Sequence, residues 1–227
     1  IDDIEKASAH TTLAVMLRSN ARLLLQDYGG AEDDANRAID DRDATNLILS
    51  RAYLLRGRAR YNTGSLSDAL DDLNATSRLD PTLLRVYLDR AETYYRQAQP
   101  TLAIGQLEPL IKAAPESVPA YRLSGLVHLM LGQPDTALDP LGKARALYTN
   151  WISGQRKDEA QAQSLGDATR AHTASDNIVT LNKGLAGIAL YEGMAYADKA
   201  RTEPPESFLG GIWRGIRHPA RLGVPSR

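Results

Sequence analysis

The sequence predicts an all-α fold: a right-handed superhelical solenoid of antiparallel helix hairpins, with capping helices at both ends. Three observations predict it. The chain contains an internal repeat of constant period, small residues recur where the two helices of a hairpin would cross, and glycine or proline recurs where helices would end.

The repeat is clearest in three blocks that begin at Ser50, Leu84 and Val118, so the interval from one block to the next is constant. The fourth position is Tyr, the eighth is Gly or Ala, the twentieth is Ala and the twenty-fourth is Leu. In that order the residues are Tyr53, Tyr87 and Tyr121; Gly57, Ala91 and Gly125; Ala69, Ala103 and Ala137; and Leu73, Leu107 and Leu141. Small residues let two helix backbones approach, so we expect the eighth and twentieth positions at the helix crossing and the large residues between hairpins.

Helix ends recur with the same period. The fifteenth position of each block holds Gly64, Ala98 or Gly132, where a left-handed residue would end the first helix. Pro81 and Pro115 hold the thirty-second position, where proline cannot continue the second helix.

The segment AYLLRGRARYNTGSLSDALDDLNATSRLDP, at positions 52–81, resembles a tetratricopeptide repeat, and the spacing of the three blocks equals the period of that family. The resemblance implies three repeats, and it implies a scaffold for protein–protein interaction rather than an enzyme. The repeats are expected at residues 50–83, 84–117 and 118–151.

Residues 1–49 are expected to form a degenerate, capping first repeat, because the end of a solenoid needs an atypical unit. A helix is predicted over 3–26, with Gly29 and Gly30 ending it, and a second helix over 31–41.

A block beginning at Met16 would place Ala35 at the small twentieth position, with Ser19 and Leu23 where Tyr and Gly belong. The segment 1–43 is also acidic. Its acids are Asp2, Asp3, Glu5, Asp27, Glu32, Asp33, Asp34, Asp40, Asp41 and Asp43.

Residues 152–203 are expected to hold a polar insert and a C-terminal capping helix. The polar stretch 153–176 is either an inserted helix-and-loop segment or a prolonged second helix of the third repeat. In the capping helix, Gly184, Gly187 and Gly193 are expected to allow close contact.

A basic, aromatic tail follows at residues 204–227, with four Arg and no acid after residue 206. It is expected to pack on the last repeat as a short helix. The alternatives are contact with a partner or an anionic membrane, or occupation of the chain's own groove.

Composition excludes several functions. The net charge of -1 argues against a nucleic-acid binder, and the absence of Cys removes disulfides and thiolate metal sites. No metal or cofactor is expected, because the four His have no metal-ligand spacing and no phosphate-loop or nucleophile-elbow motif occurs. Acidic pairs such as Asp71 and Asp72 are expected to face solvent. No stretch is long and apolar enough for a membrane span, and a chain that begins at Ile1 leaves cytoplasm and periplasm both open.

In tetratricopeptide repeats the groove is reached mainly from positions two, five, nine, twelve and thirteen. Carried over by position, the groove residues are Arg51, Leu54, Arg58, Tyr61 and Asn62; Arg85, Leu88, Glu92, Tyr95 and Arg96; and Pro119, Arg122, Leu126, Leu129 and Met130. Five Arg against one Glu, with an apolar third repeat, predict a partner segment that is acidic at one end and apolar at the other. The alternative is that these Arg only solvate the surface or bridge neighbouring helices. The carboxylate clamp of chaperone-binding members is rejected, because Asp89 stands where it would repel a carboxylate.

The function predicted from the sequence is therefore a scaffold that binds a peptide or partner protein in the groove, in a bacterial-type assembly, secretion or envelope complex. The alternative is a self-assembling structural protein, in which the acidic N-terminal cap of one copy meets the basic tail of the next.

Overall fold

The structure is a computed structural model that describes the backbone of residues 2–202 and the side chains of residues 11–201. The described residues form nine α-helices: α1 (Asp2–Leu24), α2 (Tyr28–Ile39), α3 (Asn46–Thr63), α4 (Leu66–Leu79), α5 (Arg85–Arg96), α6 (Pro100–Ala113), α7 (Val118–Met130), α8 (Pro134–Ser164) and α9 (Ala168–Thr202). The predicted tail at 204–227 lies outside the described residues.

The chain divides into two compact units, Ile1–Pro115 and Glu116–Arg227. In the first unit, α1 pairs with α2, α3 with α4 and α5 with α6, and the first helices α1, α3 and α5 contact one another in sequence. In the second unit, α8 packs on both α7 and α9. Helices packed as sequential hairpins confirm the predicted all-α repeat architecture.

Small residues lie at the hairpin crossings, as predicted. A Cβ added to Gly125 would come within 2.5 Å of Leu141 Cγ, and one added to Gly57 would lie 3.2 Å from the Ala69 carbonyl oxygen. Ala91, the equivalent residue of the middle hairpin, is fully buried.

The turns inside the hairpins share one left-handed residue, which confirms the predicted fifteenth position. The φ angles are 94° at Gly64, 55° at Ala98 and 68° at Gly132, and the same turn occurs at Gln26 (63°) and Gly166 (70°). At each of these turns the next residue donates its N–H to the carbonyl five residues earlier, at 2.9 Å. This is the Schellman closure, which satisfies a carbonyl at the helix end.

Gly29 and Gly30 do not end α1, contrary to the prediction. They lie in the first turn of α2, and the left-handed Gln26 ends α1 instead. The Asp27 carboxylate then accepts a hydrogen bond from the Gly30 N–H at 3.0 Å and caps α2. Glycine is the usual residue after a helix, but here the capping aspartate that precedes it fixes the boundary.

The first hairpin aligns with the second four residues earlier than the predicted block at Met16. Ser19, not Leu23, takes the place that Gly57 has in the next hairpin: it is fully buried, and its hydroxyl donates to the Ala31 carbonyl at 2.8 Å. Ala31 is correspondingly the small crossing residue, and it too is fully buried. Serine fits there because its hydroxyl bonds the backbone that it approaches.

The interval between these two hairpins, from position 19 to position 57, is thus four residues longer than the interval between the later blocks. The four extra residues form one additional turn at the start of α3, which has 18 residues where α5 has 12 and α7 has 13. Thr45 caps this turn, since its hydroxyl oxygen accepts from the Ile48 N–H at 3.3 Å.

In the second unit the polar stretch 153–176 is not an inserted helix-and-loop segment, because it belongs to two long helices and the short turn between them. Helix α8 continues to Ser164, which is the prolonged second helix that the sequence left as an alternative, and α9 returns along it. Gly184 makes room for Tyr148, because a Cβ there would lie 2.5 Å from the Tyr148 ring. Gly187 and Gly193 have no atom within 4 Å of an added Cβ, so the expectation of close contact was wrong for those two.

Candidate binding site on the first helices

The sequence predicts that Asp72 faces solvent, and this is wrong: its side chain is only 3% exposed. The Arg56 guanidinium donates to both of its oxygens, at 2.7 and 3.0 Å, and Arg60 donates to Oδ2 at 3.0 Å. The neighbouring Asp71 is exposed as predicted. Two arginines one turn apart on α3 therefore hold a buried carboxylate on α4.

The same arrangement occurs in the preceding hairpin. Asp34 on α2 is buried and accepts hydrogen bonds from Arg18 at 2.6 and 2.8 Å and from Arg22 at 2.8 Å. The hydrogen bonds from Arg18 hold the pKa of the Asp34 carboxyl below its usual value, against the opposing effect of burial. In each of these two hairpins, a buried carboxylate of the second helix is thus bound by two arginines of the first.

A cavity of about 210 Å³ opens between α3 and α5. It brings together five of the residues predicted to line a groove. Its lining consists of Gly57, Arg58, Tyr61, Asn62, Leu73, Arg85, Asp89, Glu92 and Thr93. Positions eight, nine, twelve and thirteen of one repeat thereby meet positions two and nine of the next.

Asp89 also lines this cavity, and it was not among the predicted groove residues. It is 5% exposed, accepts a hydrogen bond from Arg85 Nε at 2.8 Å, and has Arg58 Nε at 3.4 Å from its other oxygen. Burial raises the pKa of the Asp89 carboxyl, although Arg58 and Arg85 act in the opposite direction. Two of the arginines expected to attract acidic ligands therefore already face a carboxylate of the protein.

Tyr61 and Arg96 connect α3 to α5 at one end of the cavity. The Arg96 Nη1 donates to the Tyr61 carbonyl oxygen at 2.6 Å, and its guanidinium carbon lies 4.6 Å from the centre of the Tyr61 ring. Burial, and secondarily the charge of Glu92, raises the pKa of the Tyr61 phenol. Near neutral pH Tyr61 is therefore uncharged and available as a hydrogen-bond donor.

The other predicted residues of the first unit lie outside the cavity. Arg51 is exposed on α3, and Leu54 and Tyr95 are half-buried. Leu88 is 5% exposed and belongs to the core, so it offers little surface to a ligand.

In the second unit the predicted groove residues lie on α7. Pro119, Arg122 and Met130 are exposed, and Leu126 and Leu129 are half-buried. His128, on the same helix, has its Nδ1 at 3.0 Å from Gln133 Oε1.

The described part of the chain contains no group of three or more His, Asp or Glu side chains placed to hold a metal ion. Likewise, none of its helices has a stretch apolar and long enough to cross a membrane.

This helical architecture is similar to that of known tetratricopeptide-repeat proteins. Residues 88–150 match the family model for a tetratricopeptide repeat. A crystal structure of MamA protein has a TM-score of 0.54 and 19% identity, covering 79% of this chain and 96% of that chain. MamA residues 41-end from Desulfovibrio magneticus RS-1 also give 0.54 and 19%, covering 76% and 96%, and MamA MSR-1 gives 0.51 and 19%, covering 76% and 97%. At 19% identity, this structural similarity shows the fold alone, and the fold agrees with the predicted helical repeat.

Proposed function

Since the chain is a tetratricopeptide-repeat protein, we propose that it is a scaffold that binds an extended segment of a partner protein along α3 and α5. Tetratricopeptide repeats generally serve protein–protein interaction. The observation that carries the proposal is the cavity between these two helices, because its lining includes five residues at the repeat positions that reach the groove: Arg58, Tyr61, Asn62, Arg85 and Glu92.

The charge of the site refines the expected partner. Arg58 and Arg85 face Asp89, so they supply little net attraction for an acidic ligand. Arg51 and Arg96 are both exposed, and Arg96 donates a hydrogen bond from Nη1 to the Tyr61 backbone carbonyl. Acidic residues of the partner are therefore expected beside the cavity, near Arg51 or Arg96, rather than inside it.

The test is selection of peptides from a displayed random library with the full chain, followed by titration calorimetry of the selected peptides. Replacing Arg51 and Arg96 together by Glu should weaken binding about tenfold, and the loss should be larger in low salt, since exposed charges act through screened attraction. Arg42 and Arg78 are exposed outside the site, so Arg42→Glu/Arg78→Glu is the matched control. Equal affinities for the two double variants, or no enriched peptide at all, would contradict the proposal.

Head-to-tail self-assembly is the second candidate. One feature favours an interaction at the N-terminal end: the outward side of α1 exposes Leu13, Leu17 and Leu24, where a capped solenoid end is normally polar. Against this candidate, Asp34 and Glu32 of that acidic region already form ion pairs with Arg18 and Arg60 of the same chain. Light scattering at low and high salt tests the idea, and a monomer under both conditions argues against it.

A further inference from the structure

The cavity between α3 and α5 contains a polar atom that the protein leaves unsatisfied. Asp89 Oδ1 accepts from Arg85, but Oδ2 is buried and has no hydrogen-bond partner. Arg58 Nε lies 3.4 Å away, close enough for charge attraction but without the geometry of a hydrogen bond. The nearby Thr93 hydroxyl donates instead to the Asp89 backbone carbonyl at 2.7 Å. A buried acceptor without a donor is unfavourable, so it marks a place where a ligand's N–H or O–H would be stabilised.

The cavity is large enough for a side chain rather than a single water. Its volume is about 210 Å³, and cavities of roughly 150 Å³ accept a benzene ring. Access to Oδ2 requires Arg58 to swing outward. That motion gives up no hydrogen bond to the carboxylate, and a third of the Arg58 side chain is already exposed.

The charges around the cavity balance. Two guanidinium groups, Arg58 and Arg85, face two carboxylates, Asp89 and Glu92, and Tyr61 contributes a neutral phenol. A carboxylate ligand would meet Asp89, and an ammonium ligand would meet the two arginines. The lining therefore favours a neutral group that carries both an N–H donor and a carbonyl acceptor.

We propose that this cavity binds a primary carboxamide side chain, glutamine or asparagine, of the partner protein. Its N–H donates to Asp89 Oδ2, and its carbonyl oxygen accepts from the displaced Arg58. The inference rests on the proposed function, because the carboxamide arrives as part of a segment bound along α3 and α5.

The experiment uses peptides selected from a displayed random library by the full chain, synthesised with Gln, Glu or Met at the position most enriched for Gln or Asn. The wild type should bind the Gln peptide about ten- to a hundredfold more tightly than the Met peptide, as expected when a buried carboxylate loses its donor. Asp89→Asn removes the repelling charge and leaves two guanidinium groups in the lining against one carboxylate, Glu92, so the variant should now prefer the Glu peptide. Asp71→Asn, an exposed change on α4, should keep the wild-type preference.

The outcomes separate the two proposals. If no peptide is enriched, peptide binding itself is contradicted and this inference is overturned with it. If peptides are enriched without any preference for Gln or Asn, or if Asp89→Asn keeps the wild-type ratio of Gln to Glu affinity, only the carboxamide is overturned. Should Asp89→Asn fail to fold by circular dichroism, Arg58→Met decides: it removes the donor to the carboxamide oxygen, so it should narrow the preference for Gln over Met, and an unchanged ratio of the two affinities refutes the proposal.

Discussion

Replacing Asp72 by Asn should destabilise the first unit far more than the same change at Asp71. Asp72 accepts three hydrogen bonds from Arg56 and Arg60 and is 3% exposed, whereas Asp71 is exposed. Asparagine has nearly the same shape, so packing is preserved while the negative charge is lost and an amide N–H₂ meets the guanidiniums. The two variants therefore isolate the effect of the buried charge.

The magnitude follows from what remains around the arginines. Removing one partner of a buried ion pair typically costs about 3–5 kcal/mol, because the other charge stays buried. Here Arg56 and Arg60 are 18% and 22% exposed, Arg60 keeps Glu32 at 2.7 Å, and Arg56 keeps the Asn36 side chain at 2.8 Å. We therefore expect the lower end of the range, a loss of about 3 kcal/mol in the free energy of unfolding.

Urea unfolding followed by far-ultraviolet circular dichroism measures this loss. Both tryptophans of the chain, Trp151 and Trp213, belong to the second unit, so tryptophan fluorescence followed in parallel contains no signal from a tryptophan of the first unit. Asp71→Asn should change the unfolding free energy by less than about 0.5 kcal/mol, as surface substitutions usually do. A loss below about 1 kcal/mol for Asp72→Asn would refute the view that the two arginines depend on this carboxylate.

Two further predictions concern packing and pH. Gly125→Ala should lower the unfolding free energy by about 1 kcal/mol, because the new Cβ would lie 2.5 Å from Leu141 and this overpacking outweighs the gain in helix propensity. Gly105→Ala meets no atom within 4 Å, so it should raise the unfolding free energy by up to about 1 kcal/mol. Urea unfolding measures both, and a loss at Gly105 or a gain at Gly125 would contradict the packing argument. Because the pKa of Asp34 is lowered in the folded state, its carboxylate stabilises the fold above the unfolded pKa of about 3.9, and that contribution is lost as pH falls through the lower, folded value. Asp34→Asn should therefore be less stable than the wild type at neutral pH, and the difference should shrink towards acid; a difference independent of pH would show that the charge is not responsible.

The hairpins were predictable because packing restricts residue type at a few positions. A Cβ on Gly57 would meet the Ala69 carbonyl oxygen and one on Gly125 would meet the Leu141 side chain, and Ala91 is fully buried, so all three positions must stay small. The fifteenth position is restricted by its left-handed turn. The predicted alignment of the first hairpin is wrong by four residues, because Ser19 takes the place of the glycine. The hydrogen bond from its hydroxyl to the Ala31 carbonyl cannot be recognised from the sequence. The extra turn of α3 hid the offset further.

The charged contacts were predicted less well. A single Asp reads as a surface residue, and the partners that bury Asp72 and Asp34 are found only after the helices pair. A signal did exist: Arg18, Arg22 and Asp34 have the same spacing as Arg56 and Arg60 have to Asp72. Asp89 was missed among the groove residues for another reason. Transfer by repeat position names the side chains that reach a ligand in related proteins, and it gives no account of a buried group beneath them.

The four-residue lengthening of α3 has a consequence for how repeats of this kind are recognised. An α-helix advances about 100° per residue, so a shift of four residues turns the pattern by only about 40° beyond a full revolution. Misaligning a helix by that amount brings nearly the same side of it uppermost, and an incorrect register then looks almost as amphipathic as the correct one. A chain that grows by whole turns between hairpins can keep its buried side facing inward while it loses the constant spacing by which such arrays are detected.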